Sequence, residues 1–148
     1  MSPAIVAGSV TSPAGIRAAG VHCGIKADRP DLALVVTDAP AAAAACFTTN
    51  RVQAAPVQVS RAQIRRGRAQ AVVISSGNAN AATGEAGLRD AWEMVELTSR
   101  ALRIDRDLVL VASTGVIGVP LPMDRLRGSI PALAASLGPH GDQAAEAI

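Results

Sequence analysis

Apolar and polar positions follow two different periods along this chain. Leu32-Ala33-Leu34-Val35-Val36-Thr37, Ala71-Val72-Val73-Ile74-Ser75 and Leu108-Val109-Leu110-Val111-Ala112 are uncharged runs of strand length, rich in β-branched residues, as expected of strands buried on both faces. Asp38-Ala39-Pro40 supplies turn chemistry after the first run, which predicts a hairpin into an extended stretch at 45–49, and Pro56-Val57-Gln58-Val59 predicts a further short strand. The period changes after the loop Ser76-Gly77-Asn78-Ala79-Asn80. Leu88, Trp92, Val95 and Leu102 recur near helical spacing while Arg89, Asp90, Glu93 and Glu96 fall largely elsewhere, predicting a helix capped by Asn80 or Thr83 with Glu85 in its first turn. Residues 123–127 and 131–137 read as two short helices, the second opened by Ser129 and closed by Gly138, and Asp142 marks a last helical start. Strands alternating with helices predict an α/β fold class, in a single domain over 1–148 without an internal repeat or linker.

Composition narrows the function classes. Half the chain is apolar (49%) and 18% is charged, a globular balance, yet Phe47 and Trp92 are its only aromatic residues, so the core is built from Ala, Val, Leu and Ile. Stacking platforms for single-stranded nucleic acid are therefore missing, and a net charge of +2 is too small to argue for nucleic acid or an anionic membrane. The basic cluster Arg61, Arg65, Arg66 and Arg68 reads as a solvated helix face. Cys23 and Cys46 form no CxxC and have only His22 and His140 as further soft donors, so no metal site is expected, and both thiols read as buried small apolar residues. The start, 1–6, lacks the basic opening of a secretory signal and no run has the length and apolarity of a membrane span, which leaves the cytoplasm as the expected compartment.

Chemistry concentrates where the run 108–112 ends in Ser113-Thr114-Gly115-Val116-Ile117-Gly118. A strand end holds its residues rigidly, and glycine lets a backbone N–H approach a reacting carbonyl, so the Thr114 hydroxyl with the Gly115 N–H is a candidate oxyanion hole; strand, small polar residue and glycine is also how ordinary turns are written. A phosphate loop on Gly115-x-x-Gly118 needs a helix to begin at once, and Pro120 and Pro122 intervene. Asn78 and Asn80 are candidate substrate-binding amides; turn-forming and helix-capping roles suit them equally.

Several ordered blocks carry a family likeness: Val10-Thr11-Ser12-Pro13-Ala14-Gly15-Ile16-Arg17-Ala18-Ala19-Gly20, Gly24-Ile25-Lys26, Asp31-Leu32-Ala33-Leu34-Val35, Phe47-Thr48-Thr49-Asn50-Arg51-Val52-Gln53-Ala54-Ala55-Pro56-Val57, Ser76-Gly77-Asn78-Ala79-Asn80-Ala81-Ala82-Thr83-Gly84, the Ser113 to Gly118 motif and Leu121-Pro122-Met123-Asp124. With them the chain resembles the N-terminal, α-chain part of the ornithine acetyltransferase family, the bifunctional glutamate N-acetyltransferases of arginine biosynthesis. The resemblance implies an α+β sandwich of the DmpA-like kind, incomplete in this chain, and a cytoplasmic enzyme that moves acetyl from N-acetylornithine to glutamate. It implies no bound cofactor, with acetyl-CoA as a co-substrate of some members. It further implies self-cleavage before a threonine that becomes the nucleophile at the start of a β chain, in an α2β2 assembly. Carried over by position, Thr114 and Gly115 match the family's oxyanion hole.

Other parts of the family's pattern are missing. The motif ending Ala-Thr-Met-Leu that holds the nucleophile, and the Met-Thr-Thr-Asp segment and lysine that help bind substrate, do not occur, so this chain alone is expected to be inactive. Ser75 stands where many members have Asn, and Ala82 where many have Cys. Two readings from other classes remain open: a non-catalytic truncated fragment that at most binds a small amino acid or a partner surface, and an N-terminal-nucleophile amidase on a related scaffold.

Overall fold

The computed structural model describes residues 8–148, and the stretch 1–6, read for a secretory start, lies outside them. Four strands form one sheet in the order β1 (Ile16–Val21), β2 (Leu32–Ala42), β3 (Arg68–Asn78) and β4 (Val109–Val116). The first three are mutually antiparallel and β3 runs parallel to β4. Helices α1 (Ala55–Gln63), α2 (Gly84–Leu102), α3 (Met123–Ala135) and α4 (Gly141–Glu146) complete the mixed α/β fold. Because side chains alternate across a strand, each sheet face has its own cluster. Leu32, Leu34 and Val36 of β2 with Val73, Val109 and Val111 pack under α1, α2 and α3, whereas Ala18 and Ala33 meet Ala144 and Ala147 at the end carrying α4 on the opposite face. On that second face Val35, Val72, Ile74, Leu110 and Ala112 are only half-buried.

The strands at 32–37, 71–75 and 108–112 form as the apolar runs predict, but the partner expected for β2 does not. β2 pairs with β1, at a segment whose mixed polarity gives no strand signal, and 45–49 is irregular. Asp38-Ala39-Pro40 does not end β2. The ladder with β3 slips between Val36 and Ala41 instead, the place for a proline that has no N–H to give. Residues 56–59 are helical, not extended. Pro56 lies in the first turn of α1, where a missing N–H costs nothing, and Ala55, Pro56, Val59, Ser60 and Gln63 are buried on one helical stripe.

The predicted pair of short helices is one helix, α3, with Pro131 inside it and Ser129 mid-helix. Burial of Met123, Leu126, Ile130 and Leu133 on both sides of the proline offsets the lost backbone bond, about 3 kcal/mol in an unsupported helix. The arginine cluster is not one face: Arg61 ends α1, Arg65 and Arg66 lie in a 3₁₀ turn, and Arg68 opens β3. Neither expected residue caps α2. Thr83 holds the N-cap position without a capping bond because its hydroxyl donates to Asn80 Oδ1 at 2.7 Å. His140, not Asp142, precedes α4, and Cys46 is exposed while Cys23 is half-buried.

Candidate active site at the ends of two parallel strands

The register Ser75↔Ser113, Ser76↔Thr114, Gly77↔Gly115 brings the ends of β3 and β4 side by side in small residues. β4 is an edge strand, and α1 covers the first half of its outer edge. Ser60 Oγ accepts from the Val111 N–H at 2.9 Å and donates to the Val111 carbonyl at 2.6 Å, while Gln63 Nε2 donates to the carbonyls of Val109 at 3.1 Å and Arg106 at 2.7 Å. Strand alternation turns the N–H groups of Ser113 and Gly115 to this same outer side, and among the described residues no side chain caps either one.

Gly115 has φ +131°, and a Cβ there would stand 2.6 Å from Asn78 N and from the Gly77 oxygen. Gly77, at φ +104°, is closed from the other side, 2.8 Å from Ile25 Cγ2 for the same added carbon. Only glycine fits either place. Thr114 is exposed on the sheet face away from α1 and α2, and its hydroxyl has no protein partner among the described residues. An uncapped backbone N–H next to an unengaged hydroxyl is a donor pair in search of an acceptor.

The two asparagines meet different demands. Asn78, 4% exposed, gives its Nδ2 hydrogens to the carbonyls of Val119 at 2.9 Å and Pro120 at 3.0 Å and accepts the Asn80 N–H at 2.8 Å. Asn80 is fully buried at φ +46°, donates Nδ2 to the Gly87 carbonyl at 2.8 Å and accepts the Thr83 hydroxyl. These contacts pin the loop after β4 against the start of α2. Asn78 also lines a cleft of about 310 Å³ at the strand ends, opposite Gly24, Pro122 and Arg125.

Below this cleft the β1–β2 connection turns around Asp31, whose fully buried carboxylate accepts the N–H of Cys23 at 2.6 Å and of Lys26 at 2.8 Å. Burial pushes the Asp31 carboxyl up, but those two N–H donors outweigh it and hold it below the usual carboxylate range. The Cys23 thiol is pushed up to about 12 by burial and by hydrogen bonding to Asp31, so it stays protonated. Lys26 Nζ donates to the carbonyls of Pro30 and Ala147 and Ser76 Oγ to that of Ile148 at 2.8 Å, fastening the end of α4 beside Thr114's strand partner. Among the described residues no three His, Cys, Asp or Glu side chains form a metal-binding group. Sequence reasoning missed Asp31, Ser60 and Arg125. An acidic residue directly before the apolar run 32–36 was a signal for the first; nothing local marks the other two.

Comparison with known proteins places this geometry in a family. The ArgJ family model matches residues 17–148. The arginine biosynthesis bifunctional protein ArgJ of Symbiobacterium thermophilum is 55% identical over 147 residues, covering 97% of this chain and 37% of that protein. Its counterpart in Thermosynechococcus vestitus is 47% identical over 142 residues, covering 95% and 34%. The crystal structure of arginine biosynthesis bifunctional protein ArgJ from Bacillus halodurans superposes with TM-score 0.89 at 42% identity over 95% of this chain and 75% of that one. Ornithine acetyltransferase from Mycobacterium tuberculosis, complexed with ornithine, gives 0.90 at 44% over 95% and 78%. The chain thus spans about a third of the length of the curated relatives it matches.

Proposed function

The chain belongs to the ArgJ family, and from that membership we propose that it is the N-terminal part of an acetyltransferase that moves acetyl from N-acetylornithine to glutamate, in which Thr114 and Gly115 form the oxyanion hole. The observation that carries this reading is the uncapped Gly115 N–H on the outer edge of β4 beside the unengaged Thr114 hydroxyl. The nucleophile is a threonine hydroxyl at the start of a β chain, outside residues 1–148. Its own α-amino group takes the hydroxyl proton as the oxygen attacks the acetyl carbonyl, giving a tetrahedral oxyanion that the Thr114 O–H and Gly115 N–H receive. Collapse breaks the bond to the ornithine α-nitrogen, which leaves with the proton, and an acetyl-enzyme remains. The glutamate amine then attacks that ester, a second oxyanion forms in the same hole, and N-acetylglutamate departs as the threonine oxygen is reprotonated.

The half-buried apolar row Val72, Leu110 and Ala112 supports a second layer of protein over the far sheet face, where we place the β chain of an α2β2 assembly. Acetyl-CoA is a second acetyl donor in this reading, no cofactor is resident, and the compartment is cytoplasmic; no helix of the described residues is long and apolar enough to cross a membrane. The test is acetyl transfer by the full-length protein, with residues 1–148 alone as the control. N-acetylglutamate formed by the full-length protein and not by the control supports the proposal; a full-length protein with no transfer from N-acetylornithine contradicts it.

A further inference from the structure

Resting on that acetyl-transfer reading, we infer that the cleft at the ends of β3 and β4 is a carboxylate subsite in which the Arg125 guanidinium holds the α-carboxylate of the amino-acid substrate. One end of the cleft is Gly77, Asn78 and Val116, the immediate neighbours of Gly115, and the other is Gly24, Pro122 and Arg125. Arg125 is the one charged residue that lines it. Its guanidinium lies over Gly24, where an added Cβ would stand 2.9 Å from Nη1, and among the described residues it enters no ion pair.

The neighbouring charges are already committed. Asp124 binds Arg127 at 2.6 Å, Asp31 is satisfied by two backbone N–H groups, and Lys26 Nζ points at carbonyls. The Asn78 amide is likewise spent on Val119 and Pro120, so an anion entering this cleft meets Arg125 as its unpaired charged donor. The proposed donor and acceptor share one group besides the reacting nitrogen, an α-carboxylate one carbon away from it. A single fixed cation next to the oxyanion hole therefore serves both half-reactions, and a planar guanidinium binds a carboxylate through two parallel hydrogen bonds.

The experiment compares N-acetylornithine with its decarboxylated counterpart, N-acetylputrescine, as donors for the full-length wild type, Arg125→Met and Arg125→Lys. Loss of a charge-assisted pair predicts a fall of about 10- to 100-fold in kcat/KM for N-acetylornithine in Arg125→Met, carried mainly by KM, with partial recovery in Arg125→Lys. The decarboxylated donor changes by less than about twofold, so the preference between donors collapses. A preserved preference, or equal losses on both donors, overturns the subsite. If the wild type transfers acetyl from neither donor, the acetyltransferase reading has failed on its own. Calorimetric titration with N-acetylornithine then decides the subsite: binding that Arg125→Met abolishes supports it, and equal binding or none by the wild type overturns it.

Discussion

Gly115 does two things at once: its backbone turns an N–H to the open edge of β4, and its missing side chain lets the Gly77-Asn78 peptide pack against it. Gly115→Ala sets a methyl group 2.6 Å from Asn78 N at φ +131°, so the full-length variant is expected to lose about 2–4 kcal/mol of stability together with activity, measured by denaturant unfolding. Asp31 makes a pH-dependent contribution. Its carboxyl is held below the usual range in the folded chain, so its stabilisation is complete above the unfolded value near ~4 and is lost as pH falls through the folded value. Asp31→Asn is therefore expected to cost about 2–3 kcal/mol at neutral pH, with the gap to wild type closing in acid, read from unfolding curves between about pH 7 and pH 2. Thr114 and Gly115 were legible as a candidate pair because a strand's apolar run stops in them. The Asp31 and Ser60 partnerships were not, since the Ser60–Val111 bond spans 51 positions of sequence.

At the scale of elements, α1 protects the sheet edge up to the place where chemistry is proposed and no further. Ser60→Ala leaves the Val111 N–H and carbonyl without their partner in a buried setting, with an expected cost of about 1–3 kcal/mol and faster amide exchange at Val111, measurable by hydrogen exchange. The buried strands β2, β3 and β4 were legible because continuous apolar runs of that length have few alternatives. α1 was misread because Pro56-Val57-Gln58-Val59 alternates over only four residues, too short a window to separate period 2 from the helical stripe that Ser60 and Gln63 complete. β1 was invisible for a related reason. Its buried residues are Ala18 and Ala19, one to each face, and small side chains give little periodic signal.

On the scale of the whole molecule, one sheet face is sealed by three helices and the other by α4 at one end, leaving Val72, Leu110 and Ala112 half-buried. That asymmetry is what a layer cut from a larger sandwich leaves behind, and it agrees with a chain that spans about a third of its curated relatives. The membership in the ArgJ family was legible from ordered blocks spread along the chain, each short but together specific. The central claim is that Thr114 donates to the oxyanion of acetyl transfer, and the most direct measurement is kcat for N-acetylornithine with the full-length protein carrying Thr114→Ala or Thr114→Ser. The account predicts a loss of about 100- to 1,000-fold in kcat for the alanine variant with KM little changed, and most of the activity retained by serine, which keeps the hydroxyl. Undiminished turnover in Thr114→Ala contradicts it.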